Sequence, residues 1–281
     1  QLTITSLMEH ARKFHGDAGI VSVTADEPLH RCTYREAFAR SARLANALAR
    51  LGIRPGERIG TLAWNDYRHL EVYFATACAG FVCHTINPRL FPEQIEYIVG
   101  HAEDRWIFVD PAFVPMLEAL KDRLGCVEGY VILGPAGSAA NTSLRNAIDY
   151  ETLIAGEADT FDWPELDENS ACALCYTSGT TGNPKGVVYS HRALVLHTYG
   201  CLMPDVMNLS AREVVMPVVP MFHVNAWSMP YGAAVVGAKL VFPGPKMGDG
   251  EMLQRLIEGE GVTVTAGVPT VWLALLTHLD R

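Results

Sequence analysis

The alternation of short apolar runs with stretches of helical periodicity constrains this chain most. Strand-like runs fall at 58–64, 81–86, 106–109, 130–133, 172–176, 214–219, 239–242 and 262–266, too short for helices and bounded by polar or glycine residues. Between them, apolar residues recur at helical spacing over 69–79, 92–101, 114–124, 192–201, 226–236, 251–258 and 270–279. Regular strand–helix alternation of this kind predicts an α/β fold with largely parallel sheets flanked by helices, because parallel strands need a crossover element and helices supply it. Two further helix starts are expected at Ser6 with Glu9 and at Thr33 with Glu36, both at capping-box spacing. Gly52 stands where the second of these helices would be capped at its C-terminus. The Gly/Ala/Ser/Pro-rich stretch 134–141 and the acidic stretch 159–169 read as loops, and they place a boundary between two lobes near 135–168.

With 281 residues, 49% of them hydrophobic, the chain can bury a large core. The net charge of −9, without any Lys/Arg cluster, argues against nucleic acid as a partner, and any anionic ligand must be met locally. The longest apolar runs, such as Ala233 to Val236 and Leu273 to Leu276, are far below the roughly 18 residues of a transmembrane segment, which leaves peripheral membrane contact open. Seven scattered cysteines and the absence of a signal-like start point to a reducing, cytoplasmic setting, in a chain that begins with Gln1 and not Met. Cys172 and Cys175 have redox-motif spacing, but they sit in an apolar strand that sends them to opposite faces, with no second Cys/His pair, and read as inert core thiols.

Chemistry concentrates in two segments. The first, Tyr176-Thr177-Ser178-Gly179-Thr180-Thr181-Gly182-Asn183-Pro184-Lys185-Gly186, packs hydroxyls, glycines and one lysine between a strand and an expected helix. Glycines let main-chain N–H groups approach an anion, hydroxyls donate to phosphate oxygens or bind a cation, and lysine adds positive charge, so the loop suits a polyphosphate. It is not a Walker loop, because Pro184 and Gly186 flank the lysine where Gly and Ser/Thr are required. The second segment runs from Pro217 through Phe222, His223, Val224 and Asn225 to Trp227, at a strand end where ligands of α/β proteins bind. By itself, a histidine there ordinarily serves local hydrogen bonding, and a tryptophan ordinarily packs in a core.

Together these segments resemble the adenylate-forming superfamily of acyl-CoA synthetases, luciferases and nonribosomal peptide synthetase adenylation domains. Met221-Phe222-His223-Val224-Asn225-Ala226-Trp227 with Pro230-Tyr231 and Val236-Gly237-Ala238-Lys239 is similar to the medium- and long-chain fatty acyl-CoA synthetases and to the related methylmercaptopropionate enzymes. The resemblance implies ATP, Mg2+ and coenzyme A, with a carboxylic acid converted first to acyl-AMP and then to a thioester. It implies that Thr177, Ser178, Gly179, Thr180, Thr181 and Gly182 cradle the phosphates, with Thr177 also at Mg2+, and that Lys185 assists departing pyrophosphate. Val224 and Trp227 would face the nucleotide side. Phe222, His223, Trp227, Gly267 and Pro269 would line the acyl pocket, His223 beside the reacting carboxylate and Trp227 as a gate. Homodimers occur in this family. The superfamily extends beyond residue 281, so the chain corresponds to an incomplete N-terminal domain that is expected to be inactive alone. A synthetase for a short or sulfur-containing acid and a non-catalytic nucleotide- or acyl-binding protein are the alternatives.

Overall fold

The structure, a computed structural model, describes residues 1–177 and 182–280. Helix α1 (Ile4–His15) is followed by β1 (Gly19–Ser22), β2 (His30–Thr33), α2 (Tyr34–Arg50), β3 (Arg58–Leu62), α3 (Tyr67–Cys78), β4 (Val82–Thr85) and α4 (Pro92–Ala102). Then come β5 (Trp106–Val109), α5 (Val114–Leu120), β6 (Gly129–Ile132), β7 (Ile148–Asp149), α6 (Tyr150–Ile154), β8 (Ala171–Tyr176) and β9 (Gly186–Ser190). The chain continues through α7 (His191–Leu202), β10 (Val214–Pro217), α8 (Met229–Val236), β11 (Lys239–Phe242), α9 (Gly250–Glu260), β12 (Val264–Ala266) and α10 (Pro269–Leu279).

The strands form a seven-stranded sheet ordered β7-β6-β5-β3-β4-β8-β9 and a five-stranded sheet ordered β12-β10-β11-β1-β2. Both are parallel except where β9 and β2 join their neighbours antiparallel. Each sheet draws strands from both sides of residues 135–168: β1 and β2 join β10–β12, while β8 and β9 join β3–β6, with β7 from the stretch itself at the edge. One apolar core holds α1, α2, α3 and α8 between the sheets, through residues such as Leu7, Leu48, Phe74 and Ala233. Ile98 and Leu117 of α4 and α5 cover the outer face of the larger sheet, and Leu253 and Leu256 of α9 cover that of the smaller. Strands β4, β5 and β6 are buried along their whole length, as parallel strands flanked on both faces must be.

Local chemistry sets the helix ends. The Thr33–Glu36 capping box is present, with Gly52 at φ +77° just beyond the end of α2, a conformation that glycine adopts without steric cost. The Ser6–Glu9 expectation is corrected: Thr3 caps α1, its Oγ1 accepting from the Ser6 N–H, while Glu9 pairs with Arg12 on the solvent side. Within the helical layer, Arg40 donates to Glu71 (2.7 Å) and Glu151, and the Tyr150 hydroxyl donates to Glu71 at 2.6 Å. This satisfies a carboxylate that is wholly buried. Among the described residues, no helix is long and apolar enough to cross a membrane.

Candidate active site

The hydroxyl-rich loop joins β8 to β9, and here the sequence expectation is corrected: a strand, not a helix, follows it. Tyr176 and Gly186 are register partners in the antiparallel pair, and beyond them the Thr177 N–H donates to Lys185 O at 3.0 Å while the Lys185 N–H reaches Thr177 Oγ1 at 3.4 Å. The loop is therefore a hairpin connection closed at its root, with Thr177, Gly182 and Lys185 all exposed and Gly182 at φ +108°. A side chain at Gly186 would press on Leu174 and Tyr176, so glycine lets β9 lie close against β8. Ser178, Gly179, Thr180 and Thr181 lie outside the described residues. The Tyr176 hydroxyl lies 2.6 Å from His101 Nδ1 and its ring packs 5.1 Å from His84, a buried histidine held 2.7 Å from Asp104. Packing and hydrogen bonding thus fix the base of the loop from below.

Beyond β10 the chain takes an unusual course. Val224, Asn225, Ala226, Trp227 and Ser228 have φ between +46° and +57°, a left-handed turn made entirely of non-glycine residues. Such backbone costs about 1–2 kcal/mol per residue, so the turn stores on the order of 5–10 kcal/mol that surrounding contacts must offset. The contacts are present. Asn225 is 2% exposed, its Oδ1 receives Cys175 Sγ–H at 3.4 Å and lies 3.5 Å from the Tyr73 hydroxyl, and Ser228 Oγ is 2.9 Å from His197 Nδ1. The turn displaces the expected start of α8 from residue 226 to Met229. Pro230 in its first turn has no N–H to donate and cannot sit in a right-handed helix interior.

The side chains of this segment differ in exposure. His223 is exposed and Trp227 is 41% exposed, so Trp227 is not a core tryptophan. Phe222 points the other way: it is 4% exposed, with its ring 6.5 Å from Trp64, and it packs in the interior. A cavity of about 280 Å³ opens beside β10 and the start of α10, lined by Arg89, Val218, Pro220, Met247, Val268 and Thr270 among others. Phe222, His223, Trp227, Gly267 and Pro269 do not line it. Gly267 instead accepts the Trp272 indole N–H at 3.1 Å, and Pro269 is exposed at the start of α10. Arg89, a cation at the edge of this cavity, was not singled out by sequence pattern.

Asp66 and Asp110, at the carboxyl ends of β3 and β5, are buried carboxyls raised to about 7 and about 6, mainly by loss of water. His69, one turn into α3, is lowered to about 4 by the same burial and is held between Trp64 O and Thr61 Oγ1. Both core thiols set aside above behave as expected: burial raises the Cys172 and Cys175 thiols, and both are free. Among the described residues, no group of three or more His, Cys, Asp or Glu forms a metal site.

Comparison with known proteins gives this geometry a family. A family model described as AMP-binding enzyme matches residues 7–281. A 3-methylmercaptopropionyl-CoA ligase of Ruegeria lacuscaerulensis is 52% identical over 280 residues, covering 100% of this chain and 52% of that protein. A medium-chain-fatty-acid–CoA ligase of Ectopseudomonas oleovorans is 51% identical, covering 98% of this chain and 50% of that protein. The crystal structure of the anthranilate CoA ligase AuaEII in complex with anthranoyl-AMP superposes with a TM-score of 0.84 at 23% identity, over 98% of this chain and 51% of that one, a likeness of fold. The chain spans about half the length of the curated relatives it matches. It belongs to the AMP-binding enzyme family.

Proposed function

We propose that these residues form the N-terminal part of the adenylation domain of an acid–thiol ligase. That enzyme activates a fatty acid with ATP, releases pyrophosphate, and transfers the acyl group from acyl-AMP to coenzyme A. The observation that carries this reading is the hairpin connection between β8 and β9, a hydroxyl- and glycine-rich loop closed by Thr177 and ending on the exposed Lys185. The first step is an in-line displacement: a carboxylate oxygen bonds to the α-phosphorus as the bond to the pyrophosphate oxygen breaks. Positioning and charge neutralisation are its main catalytic needs. Thr177, Ser178, Gly179, Thr180, Thr181 and Gly182 are suited to hold the phosphates, and Lys185 to offset charge on the departing pyrophosphate. Val224 and Trp227 are assigned to the nucleotide side, His223 to the reacting carboxylate, and Trp227 to the entrance of the acyl pocket with Gly267 and Pro269 in its wall. Phe222, which is interior, is assigned to the same pocket as a packing residue.

Mg2+ takes few protein ligands when it rides on a nucleotide, and the exposed Thr177 hydroxyl suits it. Held there, it would supply positive charge to offset that of the phosphates. The relative at 52% identity favours a second acid class, 3-methylmercaptopropionate, over which the same loop and turn would act unchanged. The test is acid-dependent exchange of radiolabelled pyrophosphate into ATP by the complete enzyme, across acids of increasing length and 3-methylmercaptopropionate. ADP formation without exchange would refute the reading. A cytoplasmic location and assembly as a homodimer complete the proposal; the dimer is checked by light scattering on the same preparation.

A further inference from the structure

The turn between β3 and α3 reaches across to the other sheet through Asn65. This residue is 0% exposed, and its amide makes three hydrogen bonds, all to the main chain leaving β10. Nδ2 donates to Pro217 O and Val219 O, each at 2.9 Å, and Oδ1 accepts from the Met221 N–H at 2.7 Å. Its own carbonyl accepts from the Gly244 N–H at 3.1 Å, so the exits of both β10 and β11 rest on this one residue. Past β10 the sheet ladder ends: Val218 and Val219 both turn their N–H groups to Ala266 O, and Pro220 has none to give. The buried groups that the ladder leaves over are the ones Asn65 satisfies. From the next helix, the Tyr73 hydroxyl donates to Met221 O. Met221 is thereby held at its N–H and its C=O by side chains of the β3–α3 unit, two residues before His223 and three before the left-handed turn.

We infer that Asn65 is a positioning residue for carboxylate activation, with Tyr73 as its second arm. Together they set His223 and the turn 224–228 relative to the phosphate loop; the inference rests on the adenylation reading above. The chemistry is specific to an amide. Aspartate keeps the acceptor but turns carboxyl oxygens toward two carbonyls, and an apolar residue strands three buried groups. The phosphate loop has its own support in the β8–β9 pairing and the Thr177–Lys185 closure, so a fault at Asn65 should act more on the acid than on ATP, which keeps its phosphate contacts.

The test uses Asn65→Asp and Tyr73→Phe, singly and combined, in the complete enzyme, with acid-dependent ATP–pyrophosphate exchange and thermal midpoints measured on each. Each single variant is expected to lose about tenfold or more in kcat/KM for the acid, since a displacement near 1 Å can cost up to about a hundredfold, while KM for ATP rises by a clearly smaller factor. The double variant should lose less than the product of the two losses, because both arms hold one residue. Tyr73→Phe keeps the ring and so reports even if Asn65→Asp folds poorly. Unchanged acid kinetics in the variants, or equal losses toward acid and ATP that follow the thermal midpoint, would overturn the inference alone. Absence of acid-dependent exchange in the unsubstituted enzyme would overturn the functional reading and take the inference with it.

Discussion

Replacing Asp66 with asparagine should stabilise the protein, and the gain should grow with pH. Asp66 caps α3 by accepting the His69 N–H at 2.8 Å, a task asparagine performs equally well. It is 3% exposed, and burial is the largest cause raising its carboxyl from 3.8 to about 7. Asp110 and Glu71 add repulsion, against the His69 N–H and Arg68, which favour the charge. A folded-state pKa above the unfolded one means that the stability present below about pH 4 is lost as pH rises toward 7. At roughly 1.4 kcal/mol per tenfold change in a proton equilibrium, the loss is on the order of 4 kcal/mol. The value of about 7 already includes the favourable His69 N–H at the start of α3, so Asp66→Asn should recover most of this loss, about 3–4 kcal/mol, at pH 8. Scanning calorimetry of the variant and its parent from pH 4.5 to 8 reads this as a difference in thermal midpoint that is smallest at the acid end and widens by several degrees. A difference that is flat with pH, or a variant less stable than its parent at pH 8, would refute the reasoning.

Lys185→Ala in the complete enzyme should slow pyrophosphate exchange by about a hundredfold while KM for the acid stays within about twofold, as expected for a charge that acts on the departing group. Steady-state exchange kinetics check it, and an equal loss in acid binding would contradict the assignment. Trp227→Ala should shift the ratio of kcat/KM between a long and a short acid by about tenfold. A uniform loss over all acids would return Trp227 to a packing role.

Much of the architecture was legible because parallel strands buried on both faces must be continuous apolar runs. Residues 106–109 appear as β5, 239–242 as β11, and 214–219 as β10 with an irregular exit. The short strands β1, β2 and β7 escaped notice, since four residues or fewer, some half-exposed, carry little periodic signal. Strand β9 escaped for another reason: its residues Val187 and Val188 are exposed, so no buried face marks them, and a helix was expected after the loop. How β1 finds β11 is a pairing across most of the chain, which no local pattern encodes. At the site, residue types alone singled out the β8–β9 loop as a candidate phosphate holder, whereas the hand of the backbone at 224–228 was invisible. The same apolar spacing that forms α8 runs back through Ala226, and only Pro230 hinted that the helix starts later. Nothing in the local sequence marks Asn65, which stands just before the α3 cap Asp66. Its importance lies in partners more than 150 residues away in the chain.

The central claim concerns which phosphorus of ATP the carboxylate attacks, and an isotope label decides it. The complete enzyme is incubated with ATP, coenzyme A and a fatty acid carrying oxygen-18 in its carboxyl group, and the products are read by mass spectrometry. Attack at the α-phosphorus leaves one labelled oxygen in AMP and none in pyrophosphate. Label in inorganic phosphate, with ADP as the nucleotide product, would contradict the account.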